Sequence, residues 1–165
     1  MQRADIKRVA LGGMLAAVAI VIMCLGGFIP IATYVCPMFC CMTQFVVLRF
    51  CGKRLAWTWF AAVSCLLFLL GPDKEAVMVF IAIGYYPLIK PYFDKCKVGA
   101  FLKFLFFNAS ILAVYTVMIC LMGMQEIASE NMEFGFVGFL IILLLGNVTF
   151  FLLDILLAIM ARKLR

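Results

Sequence analysis

Asp154 carries the most chemistry to account for, because it stands in an otherwise apolar stretch, residues 135–161, about two turns before the basic end RKLR. A carboxylate at that depth must be paired, protonated or open to water. Its two readings are a place on a substrate path or proton relay, and a strut held by Lys103, Lys90 or Arg162. Arg162 lies eight residues on along the same stretch, beyond an i,i+4 pair, so an interhelical partner such as Lys103 fits better. Asn147 and Thr149 share this stretch, and Asn147, seven residues from Asp154, falls on the same helical face. Asn108, in the apolar stretch 100–123, sits at a comparable depth. The two asparagines either hydrogen-bond each other across a bundle or line a pocket.

Other reactive types are sparse. Cys36, Cys40 and Cys41 have a spacing that would suit a soft metal, but no second thiolate pair matches them and the chain has no histidine. Five of the eight cysteines, Cys24, Cys40, Cys41, Cys65 and Cys120, lie inside apolar stretches and read as reduced, structural thiols. No G-x-x-x-x-G-K-[ST], G-x-S-x-G or H-E-x-x-H motif occurs, so the chain is expected to be no enzyme and to hold no metal or cofactor. The turn GPDKE gathers Asp73, Lys74 and Glu75, which are either a solvated turn or, with the 30–34 loop, the rim of a cavity.

The elements that must position these groups follow from composition. The 165 residues are 68% hydrophobic, with mean hydropathy +1.20. No single soluble core of this size hides so much apolar surface, so a membrane protein of one domain, 1–165, is expected. Residues 9–28 contain no charge over twenty positions, about the thickness of a hydrocarbon core when helical. Further apolar runs occupy 31–48, 55–70, 76–89, 100–123 and 135–161, giving an all-α bundle of six transmembrane helices. Pro37 makes a kink or partly re-entrant entry plausible near 36–39, and Pro87 makes unwinding plausible late in the fourth run. The segment MQEIASENMEF is read as an acidic loop.

Six crossings place the N-terminal lead, 49–54, 90–103 and the C-terminal tail on one side, with thirteen of the fourteen lysines and arginines. The positive-inside rule then puts both termini in the cytoplasm of a multi-pass cell-membrane protein. The net charge of +6 is therefore topological information and no sign of nucleic acid. Trp57, Trp59, Tyr85 and Tyr86 are expected to form an aromatic belt at the inner interface.

One face of the first stretch is nearly free of side-chain bulk: Ala10, Gly13 and Ala17 at i, i+3, i+7, flanked by Gly12 and Ala16. Helices approach closely along such strips, within one chain or between subunits. The basic lead running into RVALGGMLAAVAI, the break at GGFIPIATYVCP and six short spans in fewer than 200 residues together resemble the substrate-binding S components of energy-coupling-factor (ECF) vitamin transporters of bacteria and archaea. That resemblance implies capture of a vitamin-like micronutrient from the outer side, without chemistry. It also implies docking through the first helix onto a transmembrane scaffold subunit driven by two ATPase subunits. The docking residues would be Ala10, Gly12, Gly13, Ala16 and Ala17. The family spaces alanines by four; here Met14 stands four after Ala10, so Gly12 with Ala16 and Gly13 with Ala17 supply the small pairs. The absence of histidine sets the chain apart from the nickel and cobalt branch. A substrate pocket would draw on Tyr34, Asp73, Glu75, Asn108, Tyr115 and Asn147. Two rivals are a proton- or ion-coupled secondary transporter using Asp154, and a non-transporting membrane accessory protein.

Overall fold

A bilayer core offers no partner for a free N–H or C=O, so each apolar stretch must close its hydrogen bonds internally as a helix. The structure, a computed structural model, describes the backbone of residues 3–27, 32–95, 99–122 and 125–163, with side chains described within 6–27, 33–95, 99–117, 120 and 143–163. It contains α1 (Arg3–Gly26), α2 (Ala32–Cys51), α3 (Lys53–Leu70), α4 (Lys74–Ile83), α5 (Tyr86–Phe93), α6 (Gly99–Met122) and α7 (Gln125–Lys163), with no strand among the described residues. Six segments are long and apolar enough to cross a membrane: α1, α2, α3, α4 with α5 as one broken crossing, α6, and Leu143–Lys163 of α7. The fold is thus the expected all-α bundle of six membrane-spanning helices.

α2 is the hub, packing against α1, α3, α4, α5 and α7. It runs unbroken through Pro37, which is fully buried, so the re-entrant entry expected there is not observed. Three of its cysteines donate to backbone carbonyls of neighbouring helices: Cys40 to Ala19 (3.4 Å), Cys41 to Ile83 (3.7 Å) and Cys51 to Arg8 (3.3 Å). The Ile83 carbonyl is the one that Pro87, four residues on and lacking an N–H, cannot satisfy. The Cys41 thiol takes that place, and the fourth crossing breaks at Gly84 and Tyr85, just ahead of the proline. This crossing has more than half its residues buried, against a third or fewer in the other five.

The connections are tight. Gly52, with φ 91°, is the single residue between α2 and α3, a left-handed conformation that favours glycine. In the turn from α3 to α4, Asp73 Oδ1 accepts from the Ala76 N–H (3.1 Å) and caps α4, while Lys74 Nζ donates to the Phe68 carbonyl (2.8 Å) near the end of α3.

Two expectations are overturned here. The acidic segment is helical over residues 125–134, since α7 begins at Gln125. That segment is rich in Glu, Gln, Met and Ala and free of proline, so nothing in it stops a helix. The aromatic belt is also divided. Trp57 is exposed, but Trp59 is buried and its indole N–H donates to the Gly12 carbonyl at 2.9 Å, binding α3 to α1. Tyr86 is fully buried, stacked on Phe106 and edge-on to Phe150. An aromatic with one polar atom is as well placed in a core that offers an acceptor as at an interface.

Candidate functional site

The helices alternate in direction, so the bundle has one end that carries the chain termini and one that does not. Each end holds a polar cluster, and an amide pair lies between them.

At the far end, α2, α4 and α6 are tied together. The Tyr115 hydroxyl donates to Glu75 Oε1 at 2.6 Å and lies 2.6 Å from the Tyr34 hydroxyl. Because a phenol has one proton and Tyr115 gives it to the carboxylate, Tyr34 must be the donor in the second bond. Beside this chain, Thr33 Oγ1 donates to Asp73 Oδ2 at 3.1 Å. Asp73 is therefore both a helix cap and an interhelical tie. Beneath Tyr34, next to Met38, Phe107 and Thr149, the remaining space is about 10 Å³, the threshold for a single water.

Two turns below Tyr115 along α6, Asn108 and Asn147 form a reciprocal pair. Asn108 Nδ2 donates to Asn147 Oδ1 at 3.2 Å and Asn147 Nδ2 to Asn108 Oδ1 at 3.1 Å. Each amide also donates to a carbonyl one turn back, Phe104 for Asn108 and Leu143 for Asn147, both at 2.8 Å. Of the six residues named for a pocket, the structure thus joins Tyr34, Glu75 and Tyr115 directly, sets Asp73 in the neighbouring tie, and keeps Asn108 and Asn147 as a separate pair deeper in the bundle.

Asp154 is the centre of the cluster at the termini end. Its Oδ1 accepts from Lys90 Nζ and from the Tyr86 hydroxyl (2.5 Å), and its Oδ2 from Lys103 Nζ at 3.2 Å. Lys90 also donates to the Asp154 backbone carbonyl at 3.0 Å. Lys103 reaches back to Asp94 at 2.5 Å, so two lysines and two aspartates close α5, α6 and α7 around one point. Lys103 is the interhelical partner expected from the sequence, and Lys90 is a second. Tyr86 was missed; the available signal was that Tyr86 and Lys90 are an i,i+4 pair and so share a face of α5.

The small-residue face of α1 divides. Gly12 is buried and Ala16 half-buried, and a Cβ on Gly12 would come within 3.2 Å of Leu55 Cδ2. Ala10, Gly13 and Ala17 are exposed, and a Cβ on Gly13 would meet nothing within 4 Å. Among the described residues, no group of three or more His, Cys, Asp or Glu side chains could hold a metal ion.

Comparison with known proteins found no matching family model, no matching curated protein and no matching solved structure. The functional reading therefore rests on the geometry of this chain.

Proposed function

We propose that the chain is a membrane-embedded solute-binding subunit of an importer of the ECF type, with both termini in the cytoplasm. Solute is taken at the far end, where Tyr34, Tyr115, Glu75, Asp73 and Thr33 offer hydroxyl and carboxylate groups to a vitamin-like molecule. Entry requires Tyr34 and Tyr115 to part, because the space beneath them holds no more than about one water. Free energy for release comes from ATPase subunits acting through a scaffold subunit, since the sequence carries no nucleotide-binding loop of its own.

The observation that carries this reading is the uncovered strip of Ala10, Gly13 and Ala17 beside the covered Gly12. Intramolecular packing accounts for the second, and among the described residues the first, a close-approach surface for another helix, is left exposed. The reading in which Asp154 couples transport to ions is weaker. Two ammonium groups and a phenol already occupy that carboxylate, an arrangement suited to a strut.

The test is native mass spectrometry on protein drawn gently from its own membranes. A stoichiometric metabolite of small mass together with ATPase subunits is expected. Ala17→Trp should abolish recovery of those subunits while leaving the metabolite bound and the bundle folded. Repeated recovery of ligand-free protein alone, or with partners that are not ATPases, would overturn the proposal.

A further inference from the structure

The termini end contains a cavity of about 330 Å³ between α5, α6 and α7, separate from the solute end described above. One side of it is formed by Asp94, Lys103 and Asp154, and its walls include Phe104 and Phe151, with Asn147 lining it farther in. Three features of this cavity select its occupant. First, two of its three charges sit near helix ends, with Asp154 deeper: Lys103 is the fifth residue of α6, about 6 Å along the axis from its start, and Asp94 lies in the turn after α5. That is headgroup depth. Second, Phe104 and Phe151 are 55% and 66% exposed, so the wall stands open sideways to acyl chains and a ligand can arrive from the bilayer. Third, among the described residues that line the cavity, a single ammonium, Lys103, faces two carboxylates, Asp94 and Asp154. A ligand carrying only negative charge therefore meets repulsion there, whereas a zwitterion brings an ammonium for a carboxylate along with its phosphate.

We propose that this cavity seats the headgroup of a zwitterionic phospholipid with a primary ammonium, of the phosphatidylethanolamine type, from the leaflet that meets the termini. The ammonium binds Asp94, the most accessible acidic group of the cluster at 48% side-chain exposure, and the phosphate binds Lys103. The acyl chains leave past Phe104 and Phe151. A primary ammonium has three N–H donors for the carboxylate, and a trimethylammonium has none, so Asp94 also discriminates between headgroups of equal charge. The site is independent of the importer reading and stands or falls apart from it.

The experiment is native mass spectrometry of the full chain from nanodiscs holding equal amounts of dioleoyl phosphatidylethanolamine, phosphatidylcholine and phosphatidylglycerol. Phosphatidylethanolamine should be retained about five-fold over each of the other two. Asp94→Asn should level ethanolamine with choline headgroups, Asp94→Glu should restore the preference, and Lys103→Met should weaken retention of both. Equal retention of the three lipids, a preference for phosphatidylglycerol, or an unchanged preference in Asp94→Asn would overturn the proposal. Displacement of the lipid by free phosphoethanolamine at millimolar concentration would assign the same chemistry to a soluble ligand and overturn the lipid source. Should Asp94→Asn fail to fold, the wild-type ratio of ethanolamine to choline lipid decides alone.

Discussion

Replacing Asp154 by Asn keeps the size of the side chain and removes the one charge on which Lys90, Lys103 and Tyr86 converge. The two lysines are left in different situations. Lys103 retains Asp94 at 2.5 Å, whereas Lys90, only 8% exposed, keeps the backbone carbonyl of residue 154 and loses its carboxylate. Removing one partner of a buried pair costs about 3–5 kcal/mol. The Asp154 side chain is about a quarter exposed, and solvent screening lowers the expected loss to about 2–3 kcal/mol. Lys90→Met should cost less, about 1–2 kcal/mol, because Asp154 retains Lys103 and Tyr86. Lys103→Met should cost least, about 1 kcal/mol, since Lys90 stays on Asp154 and Asp94 is half in solvent. Combining Asp154→Asn with Lys90→Met removes the stranded ammonium and should recover about 1.5 kcal/mol relative to Asp154→Asn alone. Unfolding in mixed micelles, followed by the fluorescence of Trp57 and Trp59, reads all four variants. The reasoning is refuted if Asp154→Asn lies within about 0.5 kcal/mol of wild type, or if the double variant is simply additive.

Gly12→Leu should destabilise the bundle by about 1–3 kcal/mol, since the new side chain meets Leu55, while Gly13→Leu should leave unfolding unchanged and act only on partner recovery. The same unfolding assay checks both. Asn108→Ala should cost about 0.6 kcal/mol by loss of the amide pair, and Asn108→Leu with Asn147→Leu should fall near wild type, because no polar partner is then stranded. A double-mutant cycle measures the difference. Gly84→Ala should cost about 2–3 kcal/mol, because its Cβ would stand 2.5 Å from the Phe80 carbonyl oxygen and 2.8 Å from the Phe60 ring, and thermal unfolding in detergent should show it.

The number of crossings was legible because bilayer thickness acts on composition alone: a charge-free run of sufficient length has one stable outcome. The lysine partners of Asp154, and the pairing of Asn108 with Asn147 as one of two readings, were legible for a related reason, since polar groups in an apolar helix must find one another. What escaped depended on which way a side chain faces. Trp59 and Trp57 are two residues apart and of one type, yet one is buried on the Gly12 carbonyl and the other faces outward. Tyr86 looked like an interface residue until α5 placed it one turn from Lys90. The division between Gly12 and Gly13 had the same origin, because two adjacent glycines carry no pattern to say which meets α3. The start of α7 at Gln125 was missed because acidity was read as a loop signal, although glutamate is a good helix former.

The two polar clusters are built from different bonds, and one crossing joins them. At the far end, Tyr115 and Thr33 donate to carboxylates, bonds of about 1.5–3 kcal/mol each, and the Tyr34–Tyr115 bond adds about 1 kcal/mol. At the termini end, two lysines and two aspartates hold three helices, and removing Asp154 from them costs about 2–3 kcal/mol after solvent screening. The crossing formed by α4 and α5 has a foot in each cluster, Glu75 in the first and Lys90 in the second, with its break at Gly84 and Tyr85 between them. Pro87 removes a helical hydrogen bond at that break and Cys41, from another helix, supplies the replacement. A displacement of α4 that parts Glu75 from Tyr115 is therefore transmitted to α5 through a weakened joint.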